Sequence, residues 1–249
     1  MPIPILRRIF PDSHYALLSL LFFAGLEITF AQQRWLVPLL GIFFVLLAIG
    51  IMLVRIEERG RFGFMQAILP CLAVIGLTSF GLFLPSTPYL HLYFMVASLI
   101  LFWLLRYGAK KAYPTWNWTL SIIVFFVDTA SILGLRFHLY IPVIVVLAVI
   151  FIVSFLISLQ AIRRVSPFFS DAMLIAIAMS LALTQLAWTL QFLPVHYVVQ
   201  AGVLVAFYYV FFHLISVSYE RRLTRQDIIE YCTVAALSLA LILLNARWK

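Results

Sequence analysis

Nine apolar stretches, each 18–22 residues long, follow one another along the chain at about 14–32, 36–54, 66–84, 89–106, 118–135, 140–161, 171–191, 196–217 and 228–245. A bilayer core of about 30 Å is crossed by roughly 20 apolar residues at a helical rise of about 1.5 Å per residue. Each stretch is therefore long enough to span. Only helices and closed barrels satisfy every backbone N–H and C=O in hydrocarbon, and these runs lack the alternation of barrel strands. The expected class is all-α: a polytopic transmembrane helix bundle of about nine spans, forming one integral membrane domain over 1–249. Composition agrees, since 10% of the residues are charged and 65% hydrophobic, against about a quarter charged in soluble domains. The connecting segments leave no room for a separate soluble domain, so any site must lie between helices or on short loops.

Charge sets the expected orientation. With the first residues placed in the cytoplasm, thirteen Lys and Arg side chains fall on cytoplasmic segments, among them Arg7, Arg8, Arg55, Arg163 and Arg164. Four fall outside: Arg34, Arg136, Arg247 and Lys249. Short basic loops stay in the cytoplasm, so the N-terminus reads as inside and the C-terminus as outside. The net charge of +8 is then a topology signal, and it faces anionic lipid headgroups. Nucleic acid is not an expected partner, because no long basic patch with interleaved aromatics exists off the membrane. The opening MPIPILRRIFPDSHYALLSLLFFAGLEITFA has the basic-then-apolar order of a signal peptide. Its apolar run is long and lacks a convincing small-x-small cleavage site, so it reads as a retained first helix. Cys71 and Cys232 stand inside apolar segments without CxxC or His-rich spacing, which points to neither a disulfide nor a metal site.

Prolines mark the outer connections: Pro38, Pro85 with Pro88, Pro142 and Pro194. Proline suits the first helical turn, where its missing N–H is unneeded. The first eight helices thus pair as four antiparallel hairpins, with a ninth added. Overlaying helices one to four on five to eight gives nearly constant offsets: 101 for Glu27 to Asp128, 102 for Arg34 to Arg136, 104 for Pro38 to Pro142 and 106 for Pro88 to Pro194. This fits a parallel duplication with repeats over 14–106 and 118–217 and a terminal helix at 228–245. Evenly sized helices produce such offsets from hydropathy as well.

Two acids stand within the apolar runs. Glu27 lies seven residues before Arg34 and Asp128 eight before Arg136, so both sit about 10–12 Å below an outer basic residue at a rise of about 1.5 Å. Side-chain pairs along one helix need spacings of three or four, so any partner must come from another helix. Gln32, Gln33, His91, His138, Gln185, Gln191, His196 and Gln200 gather toward the same side. They suggest a polar cavity opening outward between the first, fifth, seventh and eighth helices, lined by Glu27, Asp128, Gln185 and Gln200. The inner half reads as drier, with His213 the main exception. An ionised Asp128 at the bilayer centre costs at least about 2.5–3.5 kcal/mol. Holding a proton on it at pH 7 costs about 4 kcal/mol, from a reference pKa near 3.9 at about 1.4 kcal/mol per unit. The two costs are comparable. Asp128 therefore reads either as a proton or cation site or as a neutral acid hydrogen-bonded to Ser131, Thr129 or a neighbouring helix, and the same alternatives stand for Glu27.

His213 suits a proton relay, a ligand or an interhelical hydrogen-bond partner. Ala172, Ala176, Ser180 and Thr184 recur every four residues and form a small-residue stripe for close helix packing. The loop YERRLTRQDIIEY carries Arg221, Arg222 and Arg225, which either contact phosphate headgroups or anchor the topology, with an acid favoured at the start of the next helix. No GxSxG, HExxH, P-loop or GxGD-type aspartate pair occurs, and all three lysines lie outside the spans. An enzyme is thus the weakest reading, and neither a cofactor nor a metal is expected.

The segment YYVFFHLISVSYERRLTRQDIIEYCTVAALSLALILLNARW, through Tyr208, Tyr209, the run Arg221 to Arg225 and the closing Ala246, Arg247 and Trp248, resembles an uncharacterised family of bacterial polytopic membrane proteins, a domain of unknown function. The resemblance implies a bacterial inner-membrane protein and supplies no activity. From the residues come two expectations: a small carrier or channel-like protein that moves a small solute or a proton through Asp128, or a non-enzymatic assembly or lipid-contacting protein that works through helix packing and its basic face.

Overall fold

The computed structural model describes residues 13–31, 36–59, 63–84, 87–107, 114–166, 168–220 and 223–244. Among them lie nine α-helices and no strand: α1 (Ser13–Ala31), α2 (Leu36–Arg59), α3 (Gly63–Gly81), α4 (Thr87–Tyr107), α5 (Pro114–Leu139), α6 (Val143–Ile162), α7 (Phe169–Leu190), α8 (Tyr197–Glu220) and α9 (Arg225–Leu244). Seven of them, α1 and α4 to α9, are long and apolar enough to cross a membrane. Shorter apolar stretches, Leu40–Val54 and Met65–Gly81, occupy α2 and α3. The chain is a multi-spanning membrane protein. Large apolar side chains are exposed on every helix, Leu20 on α1, Leu46 on α2 and Leu237 on α9 among them, as hydrocarbon rather than water requires.

The chain divides into two compact units, Met1–Leu120 and Ser121–Lys249, and the division falls inside α5. In the first unit α1 packs on α2 and α4, α2 on α3, and α3 on α4, which closes a ring of four helices. Aromatic side chains make two of these seams. Phe30 meets Phe94 edge-on at 4.9 Å between α1 and α4, and Phe22 stacks on Phe43 at 5.9 Å between α1 and α2. Gly25 lets that second seam close, because a Cβ there would fall 2.6 Å from Cδ2 and Cζ of the Phe43 ring. The Tyr93 hydroxyl of α4 donates to the Leu77 carbonyl of α3. Pro70 stands inside α3, where it leaves one backbone carbonyl without its N–H donor.

In the second unit the most extensive packing joins α6 to α7, and α7, α6 and α9 each pack on α8. The turn between α6 and α7 is tight. Arg163 donates to the Ser166 carbonyl at 3.3 Å and lies over the Phe169 ring, while the Ser166 hydroxyl donates to the Phe168 carbonyl. Ala172, Ala176 and Ser180 are fully buried on α7, and Leu183 and Ala187 continue their face. Small side chains let backbones approach, and van der Waals contact then does the work that hydrophobicity does in water. Helix α5 joins α8 through rings: Phe125 stacks on Tyr208 at 4.6 Å, and Phe137 and His138 each lie 5.9 Å from Tyr197. Between α5 and α6 the chain reverses at Tyr140, in the left-handed region at φ 54, and Pro142 then starts α6.

Candidate functional site

Asp128 lies eleven residues before the end of α5, Ser154 eleven after the start of α6, and Tyr208 eleven after the start of α8. At a rise of about 1.5 Å per residue, each is about 16 Å along its helix from the same end of the unit. They form one layer. Asp128 is 3% exposed, and Ser154 and Tyr208 are fully buried. Phe125 precedes Asp128 by three residues, and residues at that spacing share a helix face. The stacking of Phe125 on Tyr208 therefore turns the Asp128 face of α5 toward α8.

Asp128 Oδ2 and the Ser154 hydroxyl have no hydrogen-bond partner in the protein, and the Tyr208 hydroxyl meets only that of Ser158, without a well-aligned bond. The two local hydroxyls that the sequence offers to Asp128 are engaged with backbone: Thr129 donates to the Phe125 carbonyl at 2.7 Å and Ser131 to the Val127 carbonyl at 2.7 Å. A buried carboxylate must be paired or neutralised. Carboxylate and hydroxyl oxygens at one depth suit a proton or a small hard cation, both of which oxygen donors bind.

Glu27 has the interhelical partner that its spacing requires. His91 of α4 brings Nδ1 to 2.8 and 2.9 Å from the two Glu27 carboxylate oxygens. This contact is partly open, with the His91 side chain 61% and the Glu27 side chain 28% exposed. Gln200 is buried and donates its amide to the Val195 carbonyl at 3.2 Å. Gln185 is exposed, on the side of α7 away from the buried stripe. His213 of α8 stacks on Tyr231 of α9 at 5.0 Å, with Tyr209 4.4 Å away. The structure therefore brings Asp128 together with α8 and Glu27 together with α4, and it gives His213 an interhelical aromatic role.

Arg225 is exposed at the start of α9, while Arg221 and Arg222 lie outside the described residues. The start of α9 is a capping box. The Asp227 carboxylate accepts from the Thr224 N–H at 3.0 Å and from its hydroxyl at 2.6 Å, and the Asp227 N–H donates back to Thr224 Oγ1 at 3.3 Å. The acid expected to favour this helix start is Asp227. Among the described residues no three His, Cys, Asp or Glu side chains group as metal ligands.

Sequence reasoning missed the serines. Ser154, Ser158 and Ser216 are buried; the hydroxyls of Ser154 and Ser216 have no partner, and that of Ser158 meets only Tyr208. Ser158 and Ser216 lie in the inner half that reads as dry. Elsewhere in the protein helical hydroxyls return to the carbonyl four residues back, as Ser19, Thr78, Ser98 and Ser180 do. Serine barely registers in a hydropathy count. The readable signal is the i, i+4 spacing of Ser154 and Ser158, opposite a mid-helix tyrosine.

The profile of DUF5656, a family of proteins of unknown function, matches residues 54–245. The chain belongs to this family. No curated protein and no solved structure matches it. The family match takes in Asp128, Ser154, Ser158 and Tyr208 but begins after Glu27.

Proposed function

We propose that this DUF5656 protein is a small carrier or channel-like protein of a bacterial inner membrane, with nine spans, its N-terminus in the cytoplasm and Asp128 as the proton or cation site. The observation that carries the reading is the buried Asp128 carboxylate, one oxygen of which no protein group satisfies, in the middle of a membrane-spanning helix. An ionisable group kept in a span at such a cost marks a functional site by default, and ion and proton pathways are among the uses of such groups. The test is pH-dependent flux into liposomes for the wild type and Asp128→Asn. Loss of flux in the variant supports the mechanism, and equal flux in both removes it.

The duplication over 14–106 and 118–217 belongs to the same reading. Its support is that both units repeat one set of neighbours: first helix with fourth, second with third, and third with fourth, with α5 meeting α8 through Phe125 and Tyr208. A second reading, an assembly or lipid-contacting protein, is favoured by the exposure of Arg225 beside the capping box. It predicts that Asp128→Asn is silent, while charge reversal of Arg221, Arg222 and Arg225 abolishes binding to anionic vesicles.

A further inference from the structure

The unpartnered hydroxyls of the second unit are not scattered. On α6, Ser154 and Ser158 are one turn apart; on α8, Tyr208 and Ser216 are two turns apart with Phe212 between them. These spacings keep each set on a single face. Helix α6 packs on α8, and the hydroxyls of Ser158 and Tyr208 face each other without closing a well-aligned hydrogen bond. All four side chains are at most 2% exposed. From the Asp128 layer they descend, at about 6 Å per four residues, toward the end of the unit that carries Arg163 and Arg164. In the opposite direction the buried Gln200 amide is closed onto the Val195 carbonyl.

Three buried serines that forgo the return bond to their own helix, a tyrosine that meets one of them, and a carboxylate oxygen without a partner in the same layer are groups left free to exchange protons. We propose that Ser154, Tyr208, Ser158 and Ser216 form a proton path joining Asp128 to the Arg163 and Arg164 end of the second unit. The inference rests on the reading of Asp128 as a protonation site and gives that site its route. In each step one hydroxyl oxygen accepts a proton on a lone pair and releases its own to the next acceptor. Only O–H bonds form and break, every hydroxyl is restored, and no oxidant or reductant takes part. The Ser158 and Ser216 levels differ by about 6 Å along the helices, a step that the path crosses through one water accepting from one hydroxyl and donating to the other. Of the titratable and charged groups on the helices around this route, α6 has none, α7 has Asp171 at its exposed end, α8 contributes Tyr197, Tyr209, His213, Tyr219 and Glu220 besides Tyr208, α5 adds Arg136 and His138 to Asp128, and α9 brings Arg225, Asp227, Glu230, Tyr231 and Cys232.

The test uses the full chain in liposomes that enclose a pH-sensitive dye, with the membrane potential clamped. Tyr208→Phe and Ser158→Ala are expected to lower proton flux by roughly a hundredfold, the scale of a lost proton-transfer group. Ser158→Thr keeps the hydroxyl and is expected to stay near the wild type. It also separates a lost hydroxyl from a lost fold if Tyr208→Phe does not assemble. The infrared band of protonated Asp128, identified by its loss in Asp128→Asn, is expected to shift in Tyr208→Phe, which a purely structural tyrosine would not cause. Flux that needs Asp128 but is unchanged in the hydroxyl variants overturns the path and leaves the carboxylate site standing. Flux that ignores Asp128→Asn overturns both.

Discussion

Replacing Asp128 by Asn is expected to stabilise the protein while it abolishes transport. The side chain is 3% exposed and its Oδ2 has no partner, so the folded protein carries an unmet acid. Left ionised, it costs at least about 2.5–3.5 kcal/mol; held neutral at pH 7, about 4 kcal/mol. Asparagine has nearly the same shape and needs neither, and its own unsatisfied amide costs about 1–3 kcal/mol. The balance favours Asn by about 1–2 kcal/mol, which for a chain of this size raises the unfolding midpoint by about 2–8 °C. Thermal unfolding of purified wild type and variant in the same detergent at pH 7, followed by tryptophan fluorescence, measures it. A midpoint that falls in Asp128→Asn would show that the carboxylate holds a partner the amide cannot replace, and the argument for a site kept at the expense of stability would collapse.

Three further outcomes follow from the packing. Gly25→Ala drives a methyl group into the Phe43 ring, and the overpacking, about 1–3 kcal/mol, outweighs the gain of about 1 kcal/mol in helix propensity; a lower unfolding midpoint checks it. Ala176→Leu, at a fully buried position of the α7 stripe, is expected to cost about 1–3 kcal/mol or more, whereas the exposed Ala178→Leu on the same helix changes the midpoint little. Thr224→Ala removes the capping box of α9 at a cost of about 0.5–2 kcal/mol, visible as faster amide exchange confined to the first turn of that helix.

The helices were legible because a bilayer imposes a length, and every apolar run from 14–32 to 228–245 corresponds to a helix of the structure. The facing of each helix was not. Glu27 and Asp128 look alike in sequence, each seven or eight residues from an arginine. Yet one reaches His91 near an exposed edge and the other is enclosed beside α8. Distance along a helix reports depth, while rotation about its axis depends on neighbours, and spans that are apolar all round leave no stripe from which to read it. The α7 stripe was the exception, since small residues every four positions do mark a contact face. The partner of Glu27 was foreseeable only as "another helix", and the serines of α6 showed only their i, i+4 spacing, because their importance lies in bonds they do not make.

Pro70 gives the two units different mechanical characters. A helix interior that lacks one i to i−4 link bends there more readily than the intact helix on either side. Helix α7 of the second unit contains no proline between Phe169 and Leu190. The ring of the first unit thus has a compliant member in α3, so bilayer thickness or lateral tension should be absorbed by bending there, and the geometry around Glu27 should yield while that around Asp128, where α6, α7 and α8 have no internal proline, holds.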